Sequence, residues 1–413
     1  MEVFIEPILV KPFGLYKRHY MISPNQIDIN FDALKNNLKI ITQDMPKNLK
    51  ICCVVKDNAY GHDACQMVSF LTKHLNPYMF AVANITEALK IKPYAKNTPI
   101  LVLGEPSLQS IPYCIDNGFI FTISTLWQAQ YSNKISSKLG KVTHCHINID
   151  TGLGRFGVRH NDFNFFFNQI LNYPNLIISG LMTHFAQSDA NNKDYANLQL
   201  SRFKLCLNSI SSFIKQNKPI VHACNSGGYL DIPMAHFDMV RLGILLSGLH
   251  PSNTCRQLKE LEPILTLKTK ICSIKKFYPG DCIGYGMHYK VKSTAIIAAI
   301  PLGYGQGYPR IRNKGYVLIH GQKAPIVGGN AMDACMIDVS QIQNVKLDDD
   351  VILIGQQGNE QIGFDDLAGW ENTVSYNIMT RLGHCPIKKN FIQNNHYKNM
   401  TNTHKTIKEI SYE

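Results

Sequence analysis

Eight short apolar runs punctuate the first 250 residues. They fall at 51–55, 79–83, 99–103, 119–123, 143–149, 177–182, 219–223 and 239–246. Most are near-continuous rather than alternating, the pattern of strands buried on both faces of a parallel sheet. Stretches long enough for helices separate most of them, such as 161–172 and 192–215, and the last gap holds a short helix near 227–232. Strands alternating with helices at this period predict a (β/α)8 barrel of the TIM type. A doubly wound parallel sheet shares the period and is the competing architecture.

The pattern differs on either side. Ile27 to Phe31 alternates as a strand, and Asp32 is placed to cap a helix carrying Leu34, Leu38 and Ile41. Beyond residue 258 the runs 264–274, 294–300, 316–319 and 350–354 are rich in β-branched residues, and Pro279-Gly280, Gly321 and Gly358 interrupt them. Helical patterning is sparse there, apart from a stretch near 365–370. These features predict a second, mainly β domain. The expected boundaries are a lead-in at 1–24, a barrel at 25–258, a β domain at 259–388 and a loose polar tail at 389–413.

Composition narrows the picture. The chain has 413 residues, 45% of them apolar, so a large core is available. Its net charge of +12 comes from scattered lysines without an arginine-rich stripe, so no nucleic-acid partner is expected. Twelve cysteines occur without paired zinc spacings, which suits reduced, core-filling thiols and no metal site. No run reaches about 18 apolar residues and the N-terminus does not read as a signal peptide. The expectation is a cytoplasmic protein with no membrane partner.

Chemistry concentrates just after the apolar runs, where barrels place their functional groups. Lys56 directly follows the first of them, in Ile51-Cys-Cys-Val-Val55-Lys56-Asp57-Asn58-Ala59-Tyr60-Gly61-His62. Desolvation there would lower an amine from about 10.4 and free it to attack a carbonyl. An ordinary rim lysine fits the position equally well. The turn Asp150 to Arg155 follows the fifth run, His184 the sixth and Asn225-Ser226-Gly227-Gly228 the seventh, while Arg241, Gly243 and Ile244 lie in or beside the eighth. Loops after the last two strands of such barrels often hold a phosphate. A condensing amine and a phosphate cup in one barrel suggest pyridoxal phosphate. Arg241 could meet its pyridine nitrogen, or equally pair with a rim carboxylate.

At these residues the sequence resembles the alanine racemases, a fold-type III pyridoxal phosphate family. Val55 to His62 is similar to that family's cofactor-lysine motif, Asp150 to Gly157 to its Asp-Thr-Gly-Met-Gly-Arg-Leu-Gly segment, and Met239 to Ile244 to its Met-Val-Arg-Phe-Gly-Ile. Ile283 to Gly286, Pro301 to Tyr304 and Ala331 to Asp333 resemble motifs of its β domain, and the likeness runs over about residues 25–385.

The resemblance implies roles. Lys56 would carry the cofactor and serve as one base, with Tyr285 as the other. Tyr60, Asn225, Ser226, Gly243, Ile244 and Tyr376 would bind the cofactor around its phosphate. His184 would lie against the ring, and Arg241, oriented by His222, would meet the pyridine nitrogen. Arg155 and the Met332 backbone would hold the substrate carboxylate. Tyr304 and Ala331 would narrow the entry, and Asp333 would support Tyr285. The family further implies a head-to-tail homodimer with shared active sites, acting on alanine and supplying D-alanine for peptidoglycan.

Three departures stand out. Asn148 replaces a lysine that many relatives carbamylate to position the substrate arginine, so a bound anion or a direct amide contact would have to substitute. Asp57 and Asp63 replace smaller or neutral residues. Gly329-Asn330-Ala331 differs from the commoner Gly-Arg-x-Cys and implies a looser entry. The alternatives are a broad-specificity amino-acid racemase and a non-catalytic pyridoxal phosphate-binding barrel.

Overall fold

The computed structural model of the chain describes residues 23–393. It opens on β1 (Gln26–Asn30), followed by a helix over Phe31–Thr42 that Asn30 caps by accepting from the Asp32 and Ala33 amides. Eight parallel strands come next: β2 (Lys50–Val54), β3 (Met79–Val82), β4 (Ile100–Val102), β5 (Ile120–Ile123), β6 (Thr143–Asp150), β8 (Leu176–Met182), β9 (Ile220–His222) and β10 (Met239–Leu242). The two-residue β7 (Val158–Arg159) lies beside the end of β6.

Strand order settles the architecture. β10 pairs with β2, and β2 to β6, β8 and β9 then follow in sequence. The Asp238 amide donates to Val221 O at 3.0 Å and the Arg241 amide to Cys224 O at 2.9 Å, bringing β10 onto β9. The sheet therefore curls into a nearly closed barrel, and the doubly wound alternative falls away. Each of the eight apolar runs supplies one strand, because a strand covered on both faces has no polar position to spare.

The barrel interior holds Cys52, Val54, Met79, Ala81, Leu101, Ile220 and Met239. It also holds polar groups: His146, His222 and Arg241 are fully or almost fully buried. Gly180 makes room for one of them, since a Cβ there would sit 2.4 Å from the His146 ring.

The C-terminal region is mainly β. Its larger sheet runs β17 (Gln322–Pro325), β16 (Tyr316–Ile319), β19 (Asp350–Gln357), β11 (Leu265–Lys270), β1 and β21 (Lys388–Ile392), with β20 (Glu360–Ile362) on β19. A second sheet joins β12 (Ser273–Phe277), β15 (Ala295–Ile300) and β18 (Cys335–Asp338), and β13 (Cys282–Ile283) pairs with β14 (Tyr289–Lys290). The run 264–274 is thus divided between two sheets. Helices cover Phe364–Glu371, as expected, and Ser375–Gly383, which the patterning did not reveal.

Both expected domain edges need correction. β1, assigned to the barrel, pairs antiparallel with β11 and parallel with β21. Lys388–Ile392, assigned mostly to the loose tail, is that partner strand. Its polar content concealed it, because Asn390 finds its partner only across the sheet, donating to Asp28 at 2.8 Å, while Lys268 of β11 pairs with Asp28 from the other side at 2.6 Å. The remainder of the expected tail, 394–413, and residues 1–22 of the lead-in lie outside the described residues. Among the described residues, no helix is long and apolar enough to cross a membrane.

Candidate active site

The C-terminal mouth of the barrel opens into a cavity of about 540 Å³. Lys56, Tyr60, Asn148, Arg155, His184, Asn225, Ser226, Arg241, Gly243, Ile244 and Tyr376 all line it. Eleven residues scattered over 320 positions of sequence thus meet in one place.

Lys56 begins an unusual turn. The four residues after it, Asp57, Asn58, Ala59 and Tyr60, have φ between 51° and 55°. That is a left-handed helical turn, which costs L-residues roughly 1–2 kcal/mol each. Asp and Asn tolerate it; Ala59 and Tyr60 do not, so the surroundings must impose it. One constraint is visible at its end. A Cβ on Gly61 would lie 2.3 Å from Met379 O, and one on Gly383 would lie 1.9 Å from the Gly61 Cα. The helix Ser375–Gly383 therefore rests its backbone directly on the turn, and the same helix delivers Tyr376. The Tyr60 and Tyr376 rings stand 6.1 Å apart. Burial pushes both phenols up, so both remain hydroxyl donors at neutral pH.

Beside these hydroxyls lies a small cup. Asn225 accepts from the Gly228 amide at 2.9 Å and from Ser188 Oγ at 2.7 Å. Ser226 Oγ accepts from the Gly243 amide at 3.2 Å. Only glycine fits at 243, where a Cβ would come within 2.2 Å of the Tyr60 hydroxyl.

Arg241 is the hub of the barrel interior. It donates to His222 Nδ1 at 2.8 Å, to Thr183 O and Ala223 O at 2.9 Å each, and to His184 Nδ1 at 3.1 Å. Its Nε–H has no partner among the described residues. Burial lowers the guanidinium to about 10, which still leaves it charged at neutral pH. His222 Nε2 lies 3.0 Å from His146 Nδ1. Accepting from Arg241 at Nδ1 assigns the proton of His222 to Nε2, and hence that of His146 to its own Nε2, which is buried without a partner. Burial, reinforced by Arg241, holds His184 and His222 well below the usual imidazole value and His146 at about 3. Sequence reasoning named His222 and Arg241 but missed His146, whose only signal was a histidine inside an otherwise apolar strand.

Arg155 reaches the cavity from an exposed loop. Asp150 shapes that loop by accepting from the Gly152 and Gly154 amides at 2.9 and 3.0 Å, and pairs with Arg159 at 2.8 Å. Among the described residues no carboxylate pairs with Arg155. Asn148 is buried nearby and makes no hydrogen bond to it, so the direct amide contact considered above is absent.

The remaining expected residues are elsewhere. Tyr285 and Tyr304 line a separate cavity of about 490 Å³ with Arg310, Arg312 and Asn330. Tyr285 is 79% exposed and Met332 62% exposed. The Tyr304 amide donates to Ala331 O at 3.3 Å. Asp333, expected to support Tyr285, makes no hydrogen bond or ion pair to it within the chain.

Comparison with known proteins gives a consistent result. Residues 29–251 match the alanine racemase N-terminal domain and residues 264–389 the alanine racemase C-terminal domain. The chain is 37% identical over 359 residues to the alanine racemase of Halothermothrix orenii, covering 86% of this chain and 94% of that one. It superposes on alanine racemase from Clostridium difficile 630 with a TM-score of 0.83 at 30% identity, covering 90% of this chain and 96% of that one. The alanine racemase of Bartonella henselae, solved with covalently bound pyridoxal phosphate, gives a TM-score of 0.81 at 25% identity over 90% of this chain and all of that one.

Proposed function

The chain belongs to the alanine racemase family, an isomerase family dependent on pyridoxal phosphate, and on that premise we propose that it interconverts L- and D-alanine with Lys56 and Tyr285 as opposed bases. We further propose that it works in the cytoplasm, supplies D-alanine for peptidoglycan, and does so as a head-to-tail homodimer with shared sites.

The barrel mouth suits the cofactor. Ser226, Tyr60 and Tyr376 offer hydroxyls to a phosphate, and Gly243 and Ile244 backbone amides, the Gly243 amide shared with Ser226 Oγ, around a glycine whose missing Cβ lets the Tyr60 hydroxyl approach. When bound, pyridoxal phosphate supplies an aldehyde that captures an amine and a ring that accepts electron density from the substrate α-carbon. Lys56 would hold that group from its strained turn. Arg241 would offer its Nε–H, unpartnered among the described residues, to the pyridine nitrogen. A guanidinium rarely releases its proton. A nitrogen facing it would stay unprotonated, which would restrain transamination. His184, kept neutral by burial beside Arg241, would lie against the ring without adding charge.

Arg155 lines the cavity with no carboxylate partner among the described residues, and it takes the substrate carboxylate, helped by the Met332 backbone. That fixes the α-carbon between two faces. Lys56 moves the proton on one face and the Tyr285 hydroxyl on the other, because a single base cannot easily reach both. Tyr304 and Ala331 narrow the entry.

One observation carries the shared-site reading. The barrel cavity has the cofactor groups and no second base from the β domain, while Tyr285 stands 79% exposed at a different cavity. A second copy of the chain, docked with its β domain over this barrel, joins the two halves, and a two-fold arrangement closes as a dimer. The test is a mixed dimer of Lys56→Ala and Tyr285→Phe chains, isolated by two tags. Sharing across the interface leaves one site intact and should restore about half of normal activity, since well-separated sites act independently. A mixed dimer as inactive as its parents would refute the shared site. Borohydride-trapped cofactor mapping to a lysine other than Lys56 would refute the cofactor assignment.

A further inference from the structure

The left-handed turn after Lys56 needs something to hold it, and the helix Ile85–Ala95 presents a face that does. Glu87, three residues into that helix and half-buried, accepts from the Asp57 amide at 2.7 Å with Oε1 and from the Ala83 amide at 2.8 Å with Oε2. One turn later Lys90 donates to Asn58 Oδ1 at 3.1 Å, and the same oxygen accepts from the Ala64 amide at 3.1 Å. Glu87 and Lys90 are thus neighbours on one helix face, gripping successive residues of the turn.

The position of Glu87 explains its bidentate contact. The β2–β3 ladder carries on to Val55, whose amide donates to Ala81 O at 2.8 Å. Beyond it the chain twists into the left-handed region and strand pairing ends. Two amides, one from each departing strand, are left without a ladder partner. The carboxylate spans both and continues the pairing by one further step. No lysine, arginine or histidine pairs with Glu87 among the described residues, so its charge is directed at the two N–H groups, a charge-assisted arrangement.

We propose that Glu87 is a positioning residue for the cofactor turn: by holding the Asp57 amide it fixes Lys56 at one end and Tyr60 at the other. Glu87 does not line the cavity and touches neither cofactor nor substrate. It acts only through the backbone of the turn. Without it, Asp57 returns to ordinary backbone angles. The Lys56 amine and the Tyr60 hydroxyl, which need a fixed separation to hold the two ends of one cofactor, then lose their register. The proposal rests on Lys56 being the cofactor lysine.

The test compares purified wild type, Glu87→Ala, Glu87→Gln and Thr125→Ala. The last removes the N-cap of the helix Leu126–Leu139, away from the turn, and serves as a control for simple loss of stability. The readouts are the dissociation constant for pyridoxal phosphate by dialysis, the fraction trapped on Lys56 by borohydride, kcat and KM for alanine, and Tm. Glu87→Ala should weaken cofactor binding by about 10- to 100-fold, the usual cost of hydrogen bonds to a charged group. Its kcat should fall while KM stays within about twofold, because Arg155 is untouched. Glu87→Gln has one acceptor oxygen in place of two and should fall between, and it carries the test if Glu87→Ala does not fold. Thr125→Ala should lower Tm alone. Glu87 variants that bind cofactor as the wild type does, and differ from it only in Tm as Thr125→Ala does, would overturn the proposal. A wild type that traps no cofactor on Lys56 would overturn the underlying assignment as well, which separates the two failures.

Discussion

The surroundings of Lys56 and those of Tyr285 are built on opposite principles. Around Lys56 nearly every polar group is buried and tied: Arg241 makes hydrogen bonds to four residues, three histidines are kept neutral, and glycines at 61, 180, 243 and 383 let backbone and rings approach where any side chain would collide. Around Tyr285 most side chains are exposed, and neither the phenol nor Asp333 has a partner among the described residues. A group that must hold a cofactor has to be organised in advance, since each donor aimed correctly beforehand is one that need not be ordered on binding. A group presented to a second chain is organised when that chain docks. On the shared-site proposal, the contrast is between a half-site organised within one chain and one that a second chain would complete.

If that contrast is sound, equivalent lesions should act differently in the two places. Arg241→Met leaves His222 and the Thr183 and Ala223 carbonyls facing a buried apolar chain, at ~1–3 kcal/mol for each group left unpaired. Chemical denaturation should show a loss of about 3–5 kcal/mol, together with weakened cofactor binding. Tyr285→Phe removes a hydroxyl with no partner among the described residues and should change stability by less than about 0.5 kcal/mol while abolishing most racemisation. Equal stability losses would break the comparison.

A gentler lesion asks whether the barrel half is self-contained. Gly383 belongs to the C-terminal region, yet its Cα rests on the Lys56 turn. Gly383→Ala should push the helix carrying Tyr376 off Tyr60 and cost about 1–3 kcal/mol, as overpacking usually does. Cofactor release measured by absorbance should quicken. Unchanged release would mean that Tyr376 is held by other contacts.

The last prediction concerns pH. His146 is lowered to about 3 and His62 to about 4, both chiefly by burial. An unfolded imidazole titrates near 6.5. Below that pH the unfolded chain binds protons that the folded barrel refuses, so stability is full above about 6.5 and declines as pH falls toward 4. Each such histidine contributes about 1.4 kcal/mol per pH unit within that window. His146→Gln should flatten the urea-midpoint profile by that increment, and an unaltered slope would mean His146 accepts a proton in the folded state.

How far the chain could be read in advance follows from how local each feature is. The eight barrel strands were legible because burial on both faces leaves a contiguous apolar run, and Lys56 because a single lysine ends the first of them. Arg241 was placed by its position in the last strand, and His222 and Tyr376 only through the family resemblance, Tyr376 because its short helix carries little apolar patterning. The pairing of β1 with β21 was not legible: two strands 360 residues apart form a pair only when the fold brings them together, and Asn390 looks polar until Asp28 lies opposite. The left-handed turn was equally hidden, because Ala59 and Tyr60 have no intrinsic preference for it and Gly383, from the far end of the chain, crowds its end. The sequence by itself determined the alternation of strands and helices, the family and the residue types of the site, since these rest on local burial patterns and contiguous motifs. The tertiary structure alone decided the angles of the turn, the histidine chain beneath Arg241, and the separation of Tyr285 from Lys56. Each of those is a contact, or a distance, between residues that only folding makes neighbours.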